Sequence, residues 1–144
     1  MPWHVENWAA VIVALDERAQ WRPSYQQEAR EMKYVMLILN TEATAKLTEA
    51  EQQAWGSEIM SWYEKHGSSG AVADMGHQLQ PAETARTIRT TGVTDGPFME
   101  TKEVLGGYSV LEAATYDEAV DLSKSWPGVD RGLITIELRP VVEF

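Results

Sequence analysis

Three histidines and one motif carry the acid–base chemistry open to this sequence. The motif is the run TDGPFMETKEVLGGY, Thr94 to Tyr108. Asp-Gly-Pro at its start is turn chemistry: Asp95 bonds nearby backbone amides, Gly96 takes an unusual φ, and Pro97 fixes the exit. The same turn could instead hold the Asp95 carboxylate at the mouth of a cleft, as a base or a ligand-orienting acid. His77, in GHQLQP, lies in the block leading toward the motif and is the best partner for Asp95. As a structural residue it would be a hydrogen-bonding histidine near a strand end. As a catalytic one it titrates near neutrality, and a His77/Asp95 pair could take a proton from a phenol or an acidic carbon. His66 ends an amphipathic helix, where a protonated imidazole favours the dipole. His4 stands apart near the N-terminus. Glu100, Lys102 and Glu103 read as a solvated, charge-paired stretch. Lys102, Arg86 and Arg89 are also the cations available to an anionic substrate oxygen. Tyr108 alternates with Val110, which suits core or cleft lining.

Other chemistries are excluded or unsupported. The chain has no cysteine, so disulfides, thiolate metal sites and cysteine nucleophiles are absent. Three scattered histidines, with no H-x-x-x-H pair and no carboxylate-rich loop, give no expectation of a metal site. No P-loop, dinucleotide fingerprint or nucleophile elbow is present, and no cofactor is expected. The formal net charge of -10 repels phosphate backbones, so direct nucleic-acid binding is not expected. The apolar run WAAVIVAL, Trp8 to Leu15, is too short to span a bilayer, and Asp16, Glu17 and Arg18 follow it. Neither a membrane span nor a signal peptide is expected, and the cytoplasm is the default location.

The elements that must position these residues fit one domain of ordinary size, since 144 residues with 44% hydrophobic content can bury a core. Residues 1–31 differ from the rest. Trp8, Val11, Ile12 and Leu15 fall at helical spacing and predict a helix over about Glu6 to Gln20, broken by WRPS. This segment reads either as an appendage packed on the body or on a partner, or as an extension ahead of a start at Met32. From there KYVMLIL (Lys33 to Leu39) is a buried strand. TEAE (Thr48 to Glu51) is a capping box opening a helix with Trp55, Ile59, Trp62 and His66 on one face, stopped by Gly67 and Gly70. AVADMGHQL (Ala71 to Leu79) is a strand with a bulge at Gly76. TARTIRTT (Thr84 to Thr91) is one exposed extra strand. GGYSVLEA (Gly106 to Ala113) is a strand, and TYDE (Thr115 to Glu118) caps a second helix ended by Pro127-Gly128. LITIELRPVVEF (Leu133 to Phe144) closes the chain as a strand.

Without the extra strand, this order is βαββαβ, the split-βαβ or ferredoxin-like α+β arrangement. Two helices cover one sheet face. Met36, Ile38, Val110, Ile134 and Ile136 are too apolar for the other face to meet water, so a homodimer with facing sheets is expected.

MKYVMLIL, GHQLQPAETARTIR, the TDGPF…ETKE…LGGY block, TYDEAVDLSKSWP and ITIELRPVVEF together resemble the YCII-related family, in its branch with the Asp-Gly-Pro-Phe motif. The likeness covers residues 32–144. It implies a dimeric α+β barrel and relatives associated with extracytoplasmic-function sigma factors, hence a ligand-binding or regulatory domain with a sigma-factor-related partner. It equally implies the alternative of a cofactor-independent lyase or isomerase, through a His/Asp pair proposed in shorter relatives. The helix histidine of those relatives corresponds here to Glu58 or Ile59, which leaves Asp95 with His77 as the expected pair.

Overall fold

A computed structural model describes residues 32–98 and 102–143. The helix expected near Glu6 to Gln20 lies outside them. The first strand, β1 (Met32–Asn40), alternates between buried and partly exposed positions. Tyr34, Met36 and Ile38 go inward, as a period of two requires. Helix α1 (Glu49–Ser68) begins where expected: Thr48 Oγ1 accepts from the Glu51 backbone N–H and donates to the Glu51 carboxylate. Strand β2 (Val72–Gln78) follows.

The predicted single extra strand is instead a two-stranded hairpin. β3 (Arg86–Arg89) pairs with β4 (Gly92–Asp95), with Ile88 opposite Val93 and Arg86 opposite Asp95. Thr90 and Thr91 form the turn between them. Asp95 therefore ends a strand, and its Gly-Pro follows as the exit. The sequence reading failed because the alternating threonines continue through the turn and hide it. Strand β5 (Val104–Ala113) starts two residues before the glycine pair. Helix α2 (Tyr116–Lys124) has Thr115 accepting from the Glu118 N–H, while the Glu118 carboxylate accepts from Ala114 N. Strand β6 (Ile134–Pro140) stops short of the predicted end.

The main sheet has the order β2-β5-β1-β6, and all its pairings are antiparallel. With two helices among the described residues, this agrees with the ferredoxin-like α+β fold. The hairpin forms a separate sheet. Tyr34, Met36, Ile38, Leu111, Ala119, Trp62 and Trp126 make the core. Full burial of one such side chain is worth about 1.5–3 kcal/mol. Trp62 and Trp126 also satisfy their indole N–H groups, on Ser125 Oγ and Tyr63 Oη.

The register corrects one expectation about the sheet. Met36 and Ile38, with Leu138 and Ile136 opposite them on β6, lie on the helix-covered face. Ile134 is buried on that face too. The other face, uncovered among the described residues, carries Val35, Leu37 and Leu39 on β1, with Tyr108 and Val110 opposite on β5. Charges flank that stripe: Lys33 faces Glu112, and Arg139 and Glu137 oppose Val35 and Leu37.

Candidate functional site

A cavity of about 490 Å³ lies between α1 and the β2–β5 side of the sheet. Small-molecule sites typically enclose about 300–1,000 Å³. Helix α1 supplies Gln52, Trp55, Ile59 and Tyr63, a stripe spaced at three and four residues along one face. Trp126, just beyond α2, closes the inner end. Its ring stands edge-on to Trp55, with centroids 6.2 Å apart and an interplanar angle of 85°. Trp55 is held in place by its Nε1–H, which donates to Pro127 O at 2.8 Å.

The glycine pair lies on the cavity floor. On the helix-covered face, Gly107 lies between Ile38 of β1 and Gln78 of β2. An added Cβ there would stand 3.0 Å from His77 O, so the glycine lets β2 lie close beside the floor. At Gly106, an added Cβ would stand 2.4 Å from Asn40 Nδ2, so its absence lets the Asn40 amide lie over the strand.

The far rim is shaped by the predicted bulge. Pairing of β2 with β5 skips between Asp74 and His77, and Gly76 has φ 69°. A Cβ at Gly76 would meet Tyr108 O at 1.8 Å, so only glycine fits. Asp74 Oδ1 accepts the Gly76 N–H at 2.8 Å. The bulge turns the Met75 carbonyl toward buried Ser109, whose Oγ–H donates to it at 2.6 Å. That uses the one serine proton. Tyr63 Oη–H must therefore donate to Ser109 Oγ, at 2.6 Å, while Trp126 Nε1–H donates to Tyr63 Oη at 3.3 Å. The resulting chain runs in one direction from loop to helix to sheet to bulge, and every member is satisfied.

The cavity is electrically neutral in its lining. Among the described residues, no Asp, Glu, Lys or Arg borders it, in a chain that is 24% charged. Its polar groups are the amides of Asn40, Gln52 and Gln78, together with Thr44, His77 and the tyrosines. Among the described residues, no cluster of three or more His, Cys, Asp or Glu could hold a metal.

The sequence-predicted residues divide. His77 and Tyr108 both border the cavity, but they are register partners on the uncovered sheet face. There their rings meet, centroids 6.0 Å apart. Asp95, Arg86 and Arg89 sit on the hairpin and do not line the cavity. The Asp95 side chain is 95% exposed, and Arg86 Nε lies 3.9 Å from its Oδ1. Such a pair contributes little in water. The Arg89 guanidinium stands over the Phe98 ring at 5.2 Å. Lys102 is exposed ahead of β5. His66 packs on Trp62, ring centroids 4.6 Å apart. Burial, and then Lys65, push its pKa below the usual histidine value.

Sequence reasoning missed Asn40, Gln52, Tyr63, Gln78 and Trp126 as cavity residues. The available signal was the glycine pair inside a strand, which marks a place where backbone is approached closely.

The fold and cavity define a class: a small α+β domain with a neutral, aromatic-walled pocket beneath its first helix. The chain belongs to the YCII-related domain family, whose profile matches residues 32–144. It is also 30% identical over 118 residues to an uncharacterized protein of Rhizobium meliloti (strain 1021), covering 78% of this chain and 94% of that protein. Among the described residues, no helix is long and apolar enough to cross a membrane.

Proposed function

We propose that this YCII-related domain binds a small organic molecule in the cavity under α1 and serves as a ligand-binding accessory domain. The observation that carries this is the cavity itself. Trp55, Ile59, Tyr63 and Trp126 wall it, the glycine pair lies on its floor, and neutral amides with no protein partner among the described residues line it. A site that only completed the core would be filled by side chains. The proposal includes a homodimer covering the stripe of Val35, Leu37, Leu39, Tyr108 and Val110, and a regulatory setting of the sigma-factor kind that the family resemblance implies. Fragment screening by protein-observed NMR tests the ligand reading. Hits should shift the Trp55 and Trp126 indole signals and vanish in Met60→Trp, which fills the cavity mouth from an exposed position. Hits that persist in that variant would sink it.

A second reading, acid–base catalysis, is favoured by the contact of the His77 and Tyr108 rings on the uncovered face. An imidazole and a phenol there are bordered by Leu37 and Val110. His77→Gln would then lower the turnover of a converted ligand far more than it weakens cavity binding, which a kcat-against-Kd comparison reads. Asp95 joins this reading only if the hairpin delivers it to His77. Equal loss of turnover in Asp95→Asn and His77→Gln is the result to look for.

A further inference from the structure

We infer that the cavity takes an uncharged, planar heterocycle whose edge carries an adjacent hydrogen-bond donor and acceptor, as in lactams, imides and nucleobases. This rests on the reading of the cavity as a ligand site and names the chemistry of its ligand.

Three observations converge. The first is charge. Among the described residues, no carboxylate, ammonium or guanidinium borders the cavity, so an ionic ligand would lose its hydration without gaining a countercharge from them. The second is shape. Trp55 and Trp126 meet edge-on, and Tyr63 adds a third aromatic wall. Aromatic walls favour a flat ring, which they can meet by stacking or edge-on. The third is the polar inventory. Asn40 and Gln78 lie on the helix-covered face at the same end of the sheet, on either side of the Gly106–Gly107 gap. Gln52 reaches the same cavity from the first turns of α1.

A primary amide offers a donor and an acceptor side by side. It therefore matches a ring edge that presents the complementary pair, as asparagine and glutamine do on adenine. Among the described residues, no protein partner accepts from or donates to any of these three side chains. Of the other polar groups of the wall, Tyr63 Oη is engaged by Ser109 and Trp126, Trp55 Nε1 by Pro127 O and Thr44 Oγ1 by Leu133 O, while His77 and Tyr108 belong by register to the other sheet face. Recognition thus falls to the amides. Sites built from neutral hydrogen-bonding groups reject analogues lacking the matching group, because the site's own groups are then left unpaired.

Three bicyclic probes separate the alternatives in calorimetric titrations of the full chain near pH 7.5. Quinolin-2(1H)-one carries the lactam edge. 2-Methoxyquinoline keeps the ring and loses the N–H donor. 2-Naphthoate keeps the size and adds a negative charge. The lactam should bind at least about tenfold tighter than either of the others. Gln52→Ala, at an exposed helix position where alanine is favourable, should bring the ratio of lactam to methoxy affinity toward one. Gln78→Ala should do the same. Binding of all three probes without preference, or an unchanged ratio in both variants, overturns the inference and leaves the cavity reading standing. So does failure of all three while unrelated fragments bind in the cavity. If neither probes nor fragments bind, both readings fall.

Discussion

One sequence motif feeds two regions that behave in opposite ways. Its first half, Thr94 to Phe98, leaves β4 and sits on a hairpin that shares no sheet with the body. Ile88, Val93 and Phe98 there are exposed, and so is Asp95. Its second half, Gly106 to Tyr108, runs down the middle of the main sheet and forms the cavity floor. The charged, motif-bearing half attracts attention in the sequence, yet it touches little. The half with no functional groups in its glycines shapes the site. A missing side chain can be as specific as a present one when the strands on both sides are packed.

If that contrast is right, the largest effect belongs to the cavity rim. Gly76→Ala should destabilise the fold by about 3 kcal/mol or more, because backbone meets the new Cβ and φ is positive. A urea midpoint measures it, and a wild-type midpoint would show that the bulge can relax. Next comes Ser109→Ala. It leaves the Met75 carbonyl and the Tyr63 hydroxyl without a shared partner, at a cost of about 2 kcal/mol. Tyr63→Phe in the same assay should cost less, since the serine keeps its bond to Met75.

A smaller effect is pH-dependent and comes from the helix that roofs the cavity. His66 has its pKa lowered by burial, so the unfolded chain binds that proton more readily. Its contribution is fully present above the ordinary value of about 6.5 and is lost as pH falls through the lowered folded value. Thermal melts between pH 8 and 5 should show a decline toward acid that His66→Gln reduces. The smallest effect is expected on the hairpin. Asp95→Asn and Arg86→Ala should leave the melting midpoint unchanged within error, since their contact is solvated and long. A drop of several degrees in either would mean that the hairpin is packed against something, and a partner subunit would be the first thing to look for.

Much of the fold was legible in the chain because local rules and tertiary structure agree there. Thr48 and Thr115 cap their helices as their spacing with Glu51 and Glu118 indicates. The break at Gly76 falls where a lone glycine interrupts a strand. The hairpin was misread because threonines on both sides of its turn keep the strand pattern unbroken. The uncovered face was misassigned because Met36 and Ile38 look no different from Val35 and Leu37 in sequence; only pairing with β5 and β6 tells them apart.

Apart from the hairpin, the sequence by itself determined the described elements, their order and the residues that could do chemistry, since caps, turn residues and apolar periodicity act within a few residues along the chain. Which of those residues share a site was decided by the tertiary structure. Asn40, Gln52 and Gln78 are far apart in sequence and meet only because β1, α1 and β2 pack around a strand with two glycines. Asp95 and His77 lie closer in sequence, yet they stand on different sheets, because the hairpin between β2 and β5 pairs with itself.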